Sequence, residues 1–136
     1  MDCLFCAMVE GKIPYSKVYE DDDFLAILDI RPVSFGHILL IPKSHHTNVT
    51  DIPEDLAKKV YPVVQKLSVA LIKSLNCDGV NLVQNNGEAA GQEIFHGHLH
   101  LIPRYKDDGI RFGVKHRKYE SNEQMVEFAD KIAKFV

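Results

Sequence analysis

The chain has 136 residues and a mass of 15.4 kDa; at 46% apolar and 26% charged residues it has the balance of one globular domain, with no room for a second independent core. A net charge of −3 and a pI of about 6.1 exclude a basic stripe that wraps a polyanion, so no nucleic-acid partner is expected; the longest aliphatic run, Ile38 to Ile41, is far too short to cross a bilayer, so no membrane partner is expected either. The N-terminal stretch has no basic n-region, which speaks against a secretion signal, and an odd three cysteines read as reduced thiols of a cytoplasmic enzyme or binding module.

In chain order, Leu4 to Glu10 forms a short helix ended by Gly11 and Pro14. Lys17 to Glu20 and Phe24 to Leu28 read as strands of a hairpin that turns at Asp21-Asp22-Asp23. A bend over 31–36 precedes a buried strand from His37 to Ile41, stopped by Pro42. A long helix begins near Asp51 to Pro53: Asp51 with Glu54 resembles a capping box, while Pro53 also suits a first turn. Its apolar stripe is Leu56, Val60, Val63, Val64, Leu67, Leu71 and Leu75. Pro62 conflicts with that stripe and predicts a kink, or a regular helix that starts later; Gly79 follows the end. Val80 to Asn85 is the next strand, 86–91 a loop of small and polar residues, and Phe95 to Ile102 a further strand closed by Pro103. The last helix starts at Ser121, where Gln124 completes S-x-x-Q, and shows one apolar face of Met125, Phe128, Ala129, Ile132 and Phe135. Five short strands and flanking helices outside strict βαβ order predict an α+β domain on a mainly antiparallel sheet, with a long central helix and a C-terminal helix.

The chemically informative stretch is Phe95-His96-Gly97-His98-Leu99-His100-Leu101-Ile102-Pro103. On a strand His96, His98 and His100 share one face, with successive Cα atoms roughly 6.5–7 Å apart, while Gly97, Leu99 and Leu101 belong to the core. A strand that spends three positions of one face on imidazole is not optimising packing. Two chemistries fit: chelation of a transition metal by H-x-H, and nucleophilic attack by a neutral imidazole near pH 7. Attack on phosphorus gives a phosphohistidine that water can cleave, with neighbouring imidazoles holding the developing charge.

The surrounding residues resemble the histidine triad (HIT) family, whose signature His-φ-His-φ-His-φ-φ reads here as His96 to Ile102. The resemblance extends over 84–92 (QNNGEAAGQ), 28–32 (LDIRP), 36–43 (GHILLIPK), Cys3-Leu4-Phe5-Cys6 and Gly11-Lys12-Ile13-Pro14. It looks closest to the small bacterial branch near the Hint nucleoside phosphoramidases. It implies one HIT domain over 1–136, with motifs in 1–105 and an extension with a helix in 106–136.

By that resemblance His98 is the nucleophile toward an α-phosphorus, His100 contacts the α-phosphate, His37 sits beside it on a neighbouring strand, and His96 supports the others or serves a metal. Asp29 is implied to bind ribose hydroxyls, Ile27 to cover the purine, and the loop with Asn85, Gly91, Gln92 and Glu93 to meet phosphate and leaving group through backbone N–H groups and neutral donors. Read alone, Asp29 and Asn85-Asn86-Gly87 are ordinary turn residues. The first φ of the signature is Gly97, which weakens packing behind the strand or lets another backbone approach. Glu93 stands where several relatives carry Ser or Thr, a charge able to protonate a leaving amine or to repel polyphosphate. The lone Cys3-x-x-Cys6 reads as two packed thiols or half a metal site; the resemblance implies zinc on Cys3, Cys6, His45 and His96, a closed structural set, with His46 the alternative ligand and His116 solvated. The expected function is hydrolysis or transfer at the α-phosphate of purine nucleoside phosphoramidates or related adenosine conjugates, with no cofactor in the chemical step, by a homodimer that binds AMP- or GMP-type nucleotides. The alternatives are a non-catalytic nucleotide-binding scaffold and a metalloenzyme with the triad as ligands.

Overall fold

A computed structural model describes residues 2–113 and 115–136. Strands β1 (Lys17–Glu20), β2 (Phe24–Leu28), β3 (Ile38–Pro42), β4 (Gly79–Val83) and β5 (Leu99–Arg104) form one antiparallel sheet in the order β1-β2-β3-β5-β4. With helices α1 (Leu4–Val9), α2 (Glu54–Leu75) and α3 (Asn122–Ala133) this is the expected α+β architecture. No helix among the described residues is long and apolar enough to cross a membrane.

Both faces of the central strands are covered, which is why their sequences are apolar runs rather than alternations. Phe24 and Ala26 of β2, Ile38 and Leu40 of β3 and Leu101 of β5 pack on Val63, Val64, Leu67 and Leu71 of α2. The intervening residues Leu25, Ile27, Leu39 and Ile41 face the other way and pack with Phe5 of α1. The register sets Ile27 beside Leu39 and Leu39 beside His100, so an apolar floor runs across the second face and ends in an imidazole.

The helix ends follow local chemistry. Pro53 is the α2 cap residue, and Asp51 instead accepts the N–H groups of Thr47 and Asn48, holding the loop before the helix. Asn76, left-handed at φ 53°, ends α2, while Gly79 already lies in β4. The helix is continuous through Pro62, so its regular part does not start late; Pro62 lies on the exposed side, where water can take the Lys58 carbonyl that loses its donor. Ser121 accepts the N–H of Gln124, and the Gln124 side chain accepts that of Glu120, so the α3 start is built as expected. No residue of α3 is buried, and Met125, Phe128, Ile132 and Phe135 are exposed.

The later strands depart from expectation: β4 ends at Val83, not Asn85, and Pro42 and Pro103 are paired within β3 and β5 rather than closing them. The largest difference is at the start of β5. β5 begins at Leu99, not Phe95, because the ladder to β3 stops at the pair Leu40–Leu99. Upstream, the Gly97 N–H donates to the His46 carbonyl at 2.9 Å and the His46 ring fills the space a Cβ would need. Gly97 therefore admits another backbone, and His96 and His98 precede the strand; the His98 ring still stands beside His100, 5.1 Å between centroids, while His96 turns to a separate cluster.

Candidate functional site

Two clusters of side chains meet at the start of β5. In the first, Asp29 follows β2 and His37 precedes β3, and the Asp29 N–H donates to the His37 carbonyl, extending that ladder. The Val33 N–H donates to His37 Nδ1 at 3.1 Å. A neutral imidazole has one lone-pair nitrogen, so His37 carries its proton on Nε2 and donates it to His100 Nδ1 at 2.9 Å. His100 then bears its proton on Nε2. His98 donates Nδ1–H to the His96 carbonyl at 2.8 Å, which leaves Nε2 as a free lone pair with no partner among the described residues.

Burial sets the charge of these rings. It lowers the pKa of His37, with Asp29 opposing, and of His98, with the His96 carbonyl opposing. His100 is pushed down to about 4, by burial first and by His98 and His37 next. All three are neutral at pH 7. The 3.6 Å approach of Asp29 Oδ2 to His37 Nε2 is then a contact between an anion and a neutral ring; the other carboxylate oxygen, Oδ1, accepts the Arg31 N–H at 2.9 Å. Asp29, His37 and His100 could be counted as three metal donors. The Val33 N–H argues otherwise, since it claims the lone pair of His37 and puts a proton where a metal would bind.

These groups line a cavity of about 380 Å³, within the range of small-molecule sites. Ile27, Asp29, Asn85, Gly91, Gln92, Glu93, His98 and His100 all border it, with Leu4, Phe5, Met8, Leu28, Ile30, Leu39 and Ile94. His37 backs it through His100, and His96 lies outside it. Gln92 borders the cavity yet gives its amide hydrogens to the Thr47 and Ile94 carbonyls, at 2.7 and 3.0 Å, and accepts the Gly87 N–H at 2.8 Å. It braces the loop and has no donor left to offer. At the rim Arg31 and Glu93 pair at 3.6 Å, both exposed.

In the second cluster His96, fully buried, donates Nε2–H to the Pro42 carbonyl at 2.7 Å, leaving the Nδ1 lone pair toward Cys3 Sγ (3.3 Å), Cys6 Sγ (3.5 Å) and His45 Nδ1 (3.2 Å). Cys6 Sγ also lies 3.4 Å from His45 Nδ1. Metal–S bonds of about 2.3 Å and metal–N bonds of about 2.0–2.1 Å give tetrahedron edges of about 3.3–3.8 Å. The donors therefore stand close to where a zinc ion would need them, with His45, not His46, as the fourth. Burial, and then the neighbouring Cys3, push the Cys6 thiol up to about 11, as expected for a thiol awaiting a cation to displace its proton.

Sequence reasoning did not single out Val33, whose N–H selects the His37 tautomer, or Phe5, whose ring meets both His96 and His98. A backbone donor has no side-chain signature. Phe5 did carry one, its place inside C-x-x-C.

The chain matches the HIT domain model over residues 10–107. A crystal structure of a HIT family member from Bacillus subtilis superposes with a TM-score of 0.91 at 41% identity, covering 100% of this chain and 98% of that one. A zinc-bound histidine triad family protein from Mycobacterium smegmatis superposes with a TM-score of 0.78 at 38% identity, covering 100% and 99%. The adenylylsulfatase HINT3 of Arabidopsis thaliana is 45% identical over 107 residues, which are 79% of this chain and 54% of that protein. With the family model spanning most of its length and a solved member this similar, the chain belongs to the HIT domain family.

Proposed function

We propose that this protein binds purine nucleotides and cleaves nucleoside phosphoramidates, or related adenosine conjugates, at the α-phosphorus through a nucleotidyl-His98 intermediate. The observation that carries the reading is the tautomer of His98: Nδ1–H is tied to the His96 carbonyl, so the free pair sits on Nε2 of a ring that borders the cavity. Ile27 and Leu39 offer an apolar floor for a purine, and Asp29 Oδ2 an acceptor for ribose hydroxyls.

His98 Nε2 attacks the α-phosphorus and the P–N bond breaks, the amine leaving with the electron pair and taking a proton from solvent water, which the second step returns. The proton-bearing Nε2 of neutral His100, fixed through His37 and Val33, donates to an equatorial oxygen. Water then attacks the same phosphorus, its proton departs, and His98 recovers its pair as the nucleoside monophosphate leaves. Cys3, Cys6, His45 and His96 would hold a structural zinc ion that ties the N-terminus to the segment before β5; the zinc-bound relative and the donor distances support this. The chemical step needs no cofactor. We also propose a homodimer, a reading supported by the uncovered apolar side chains of α3.

The test is turnover of adenosine 5′-phosphoramidate, followed as AMP release. His98→Ala is expected to abolish turnover and keep AMP binding. Wild-type turnover in that variant contradicts the assignment, and a wild-type protein that binds AMP but releases none supports the scaffold reading instead.

A further inference from the structure

His100 and the apolar floor of the cavity are held by the sheet ladder, but His98 is not: the pairing of β3 with β5 ends at Leu40–Leu99, one residue short of it. Something else must help aim that ring. The His100 ring stands beside it at 5.1 Å between centroids, and two further links reach it from the Cys/His cluster and the helix that carries its thiols. His96 is the first. Its Nδ1 belongs to the cluster and its Nε2–H is anchored on Pro42, so the ring cannot turn freely, and its carbonyl holds the Nδ1–H of His98. Phe5 is the second. It stands between Cys3 and Cys6 in sequence, on the helix whose first turn Cys3 caps by accepting the Cys6 N–H. Its buried ring meets His96 edge-on at 5.8 Å between centroids and His98 at 4.9 Å, with interplanar angles of 84° and 76°.

We propose that the clamp of Cys3, Cys6, His45 and His96 sets the aim of His98, with His96 and Phe5 as positioning residues. A closed clamp gives a protein competent to attack; an open clamp gives one that still seats nucleotide on the ladder-held floor but attacks slowly. The proposal rests on the reading that His98 is the nucleophile. It assigns the N-terminal thiols a place in the reactivity of a ring that they do not touch.

The experiment compares zinc-loaded wild type with metal-stripped wild type, Cys6→Ser and zinc-loaded Phe5→Leu. With the clamp opened or the ring trimmed, kcat on adenosine 5′-phosphoramidate is expected to fall about 10- to 100-fold, the scale of a misplacement near 1 Å, while in the two clamp-opened proteins the Kd for AMP stays within about twofold. At one fixed pH, long-range ¹H–¹⁵N spectra are expected to show His98 passing from a single Nδ1–H tautomer to a mixture, with His100 unchanged. Phe5→Leu keeps the metal ligands and an apolar core, so it still reports if the stripped protein unfolds. Unchanged kcat in every variant, AMP binding lost in step with kcat in the clamp-opened proteins, or an unchanged His98 tautomer in the slowed proteins, Phe5→Leu included, would overturn the proposal. The two readings fail separately: turnover that survives His98→Ala in zinc-loaded protein removes the nucleophile, while the tautomer spectra judge the clamp by themselves.

Discussion

At the scale of single residues, the site depends on imidazoles that stay neutral. A chain of donors runs from the Val33 N–H to His37, and from His37 to His100, so each proton is assigned by the group before it. His37→Ala removes the middle of that chain and lets His100 choose either tautomer; kcat is expected to fall about tenfold or more, read by steady-state AMP release. The pH dependence follows from the depressed pKa values of His37 and His100, the latter at about 4. Between pH 8 and 6 the His100 ring remains neutral in the folded protein, so turnover is expected to vary little on its account and then to fall as pH approaches 4. Stability follows the same direction. An unfolded histidine takes its proton near pH 6.5 while the buried one resists, so the stability is fully present above about 6.5 and is lost as pH falls through the folded values. Urea midpoints measured from pH 7 to 4 should therefore decline.

At the scale of elements, the segment from His96 to His98 is where sequence and structure part. Alternation of His with Gly and Leu has the period of a strand, and periodicity cannot register that a neighbouring loop captures the backbone first. The Gly97 N–H goes to His46, so the sheet begins only at Leu99. The strands of the first hairpin and β3 were legible, because their apolar runs are bounded by Asp21 to Asp23 and by glycine and proline turns. The α2 ends were less so: Asp51, Pro53, Asn76 and Gly79 all carry terminus signals, and only tertiary contacts decide among them. Gly97→Ala is expected to push the added methyl into the His46 ring, costing about 1–3 kcal/mol and lowering kcat, measured by denaturation and turnover. Pro62→Ala should act in the opposite sense. It restores a donor to the Lys58 carbonyl on an exposed face, so stability should rise by about 1–3 kcal/mol with no change in turnover.

At the scale of the whole molecule, the sheet presents one face to α2 and the other to the cavity, and the Cys/His cluster joins the N-terminus to the chain entering β5. The histidine motif and its companions made the family legible from the sequence, since several short motifs agree in order. The donor geometry was not legible, because Cys3 and His96 lie 93 residues apart and only folding brings them to 3.3 Å. Removing metal is expected to lower the melting temperature. Uptake should release a proton from the Cys6 thiol, so apparent zinc affinity, measured by competition with a chelator, should rise with pH. The central claim is that one ring nitrogen forms the bond to phosphorus. Rapid acid-free quenching of the protein with a slow adenosine phosphoramidate, followed by intact-mass and peptide mass spectrometry, tests it directly. An adenylyl group on His98 that forms and decays at the rate of turnover is the predicted result; turnover with the adduct on another residue, or with no adduct while His98→Ala still works, would contradict it.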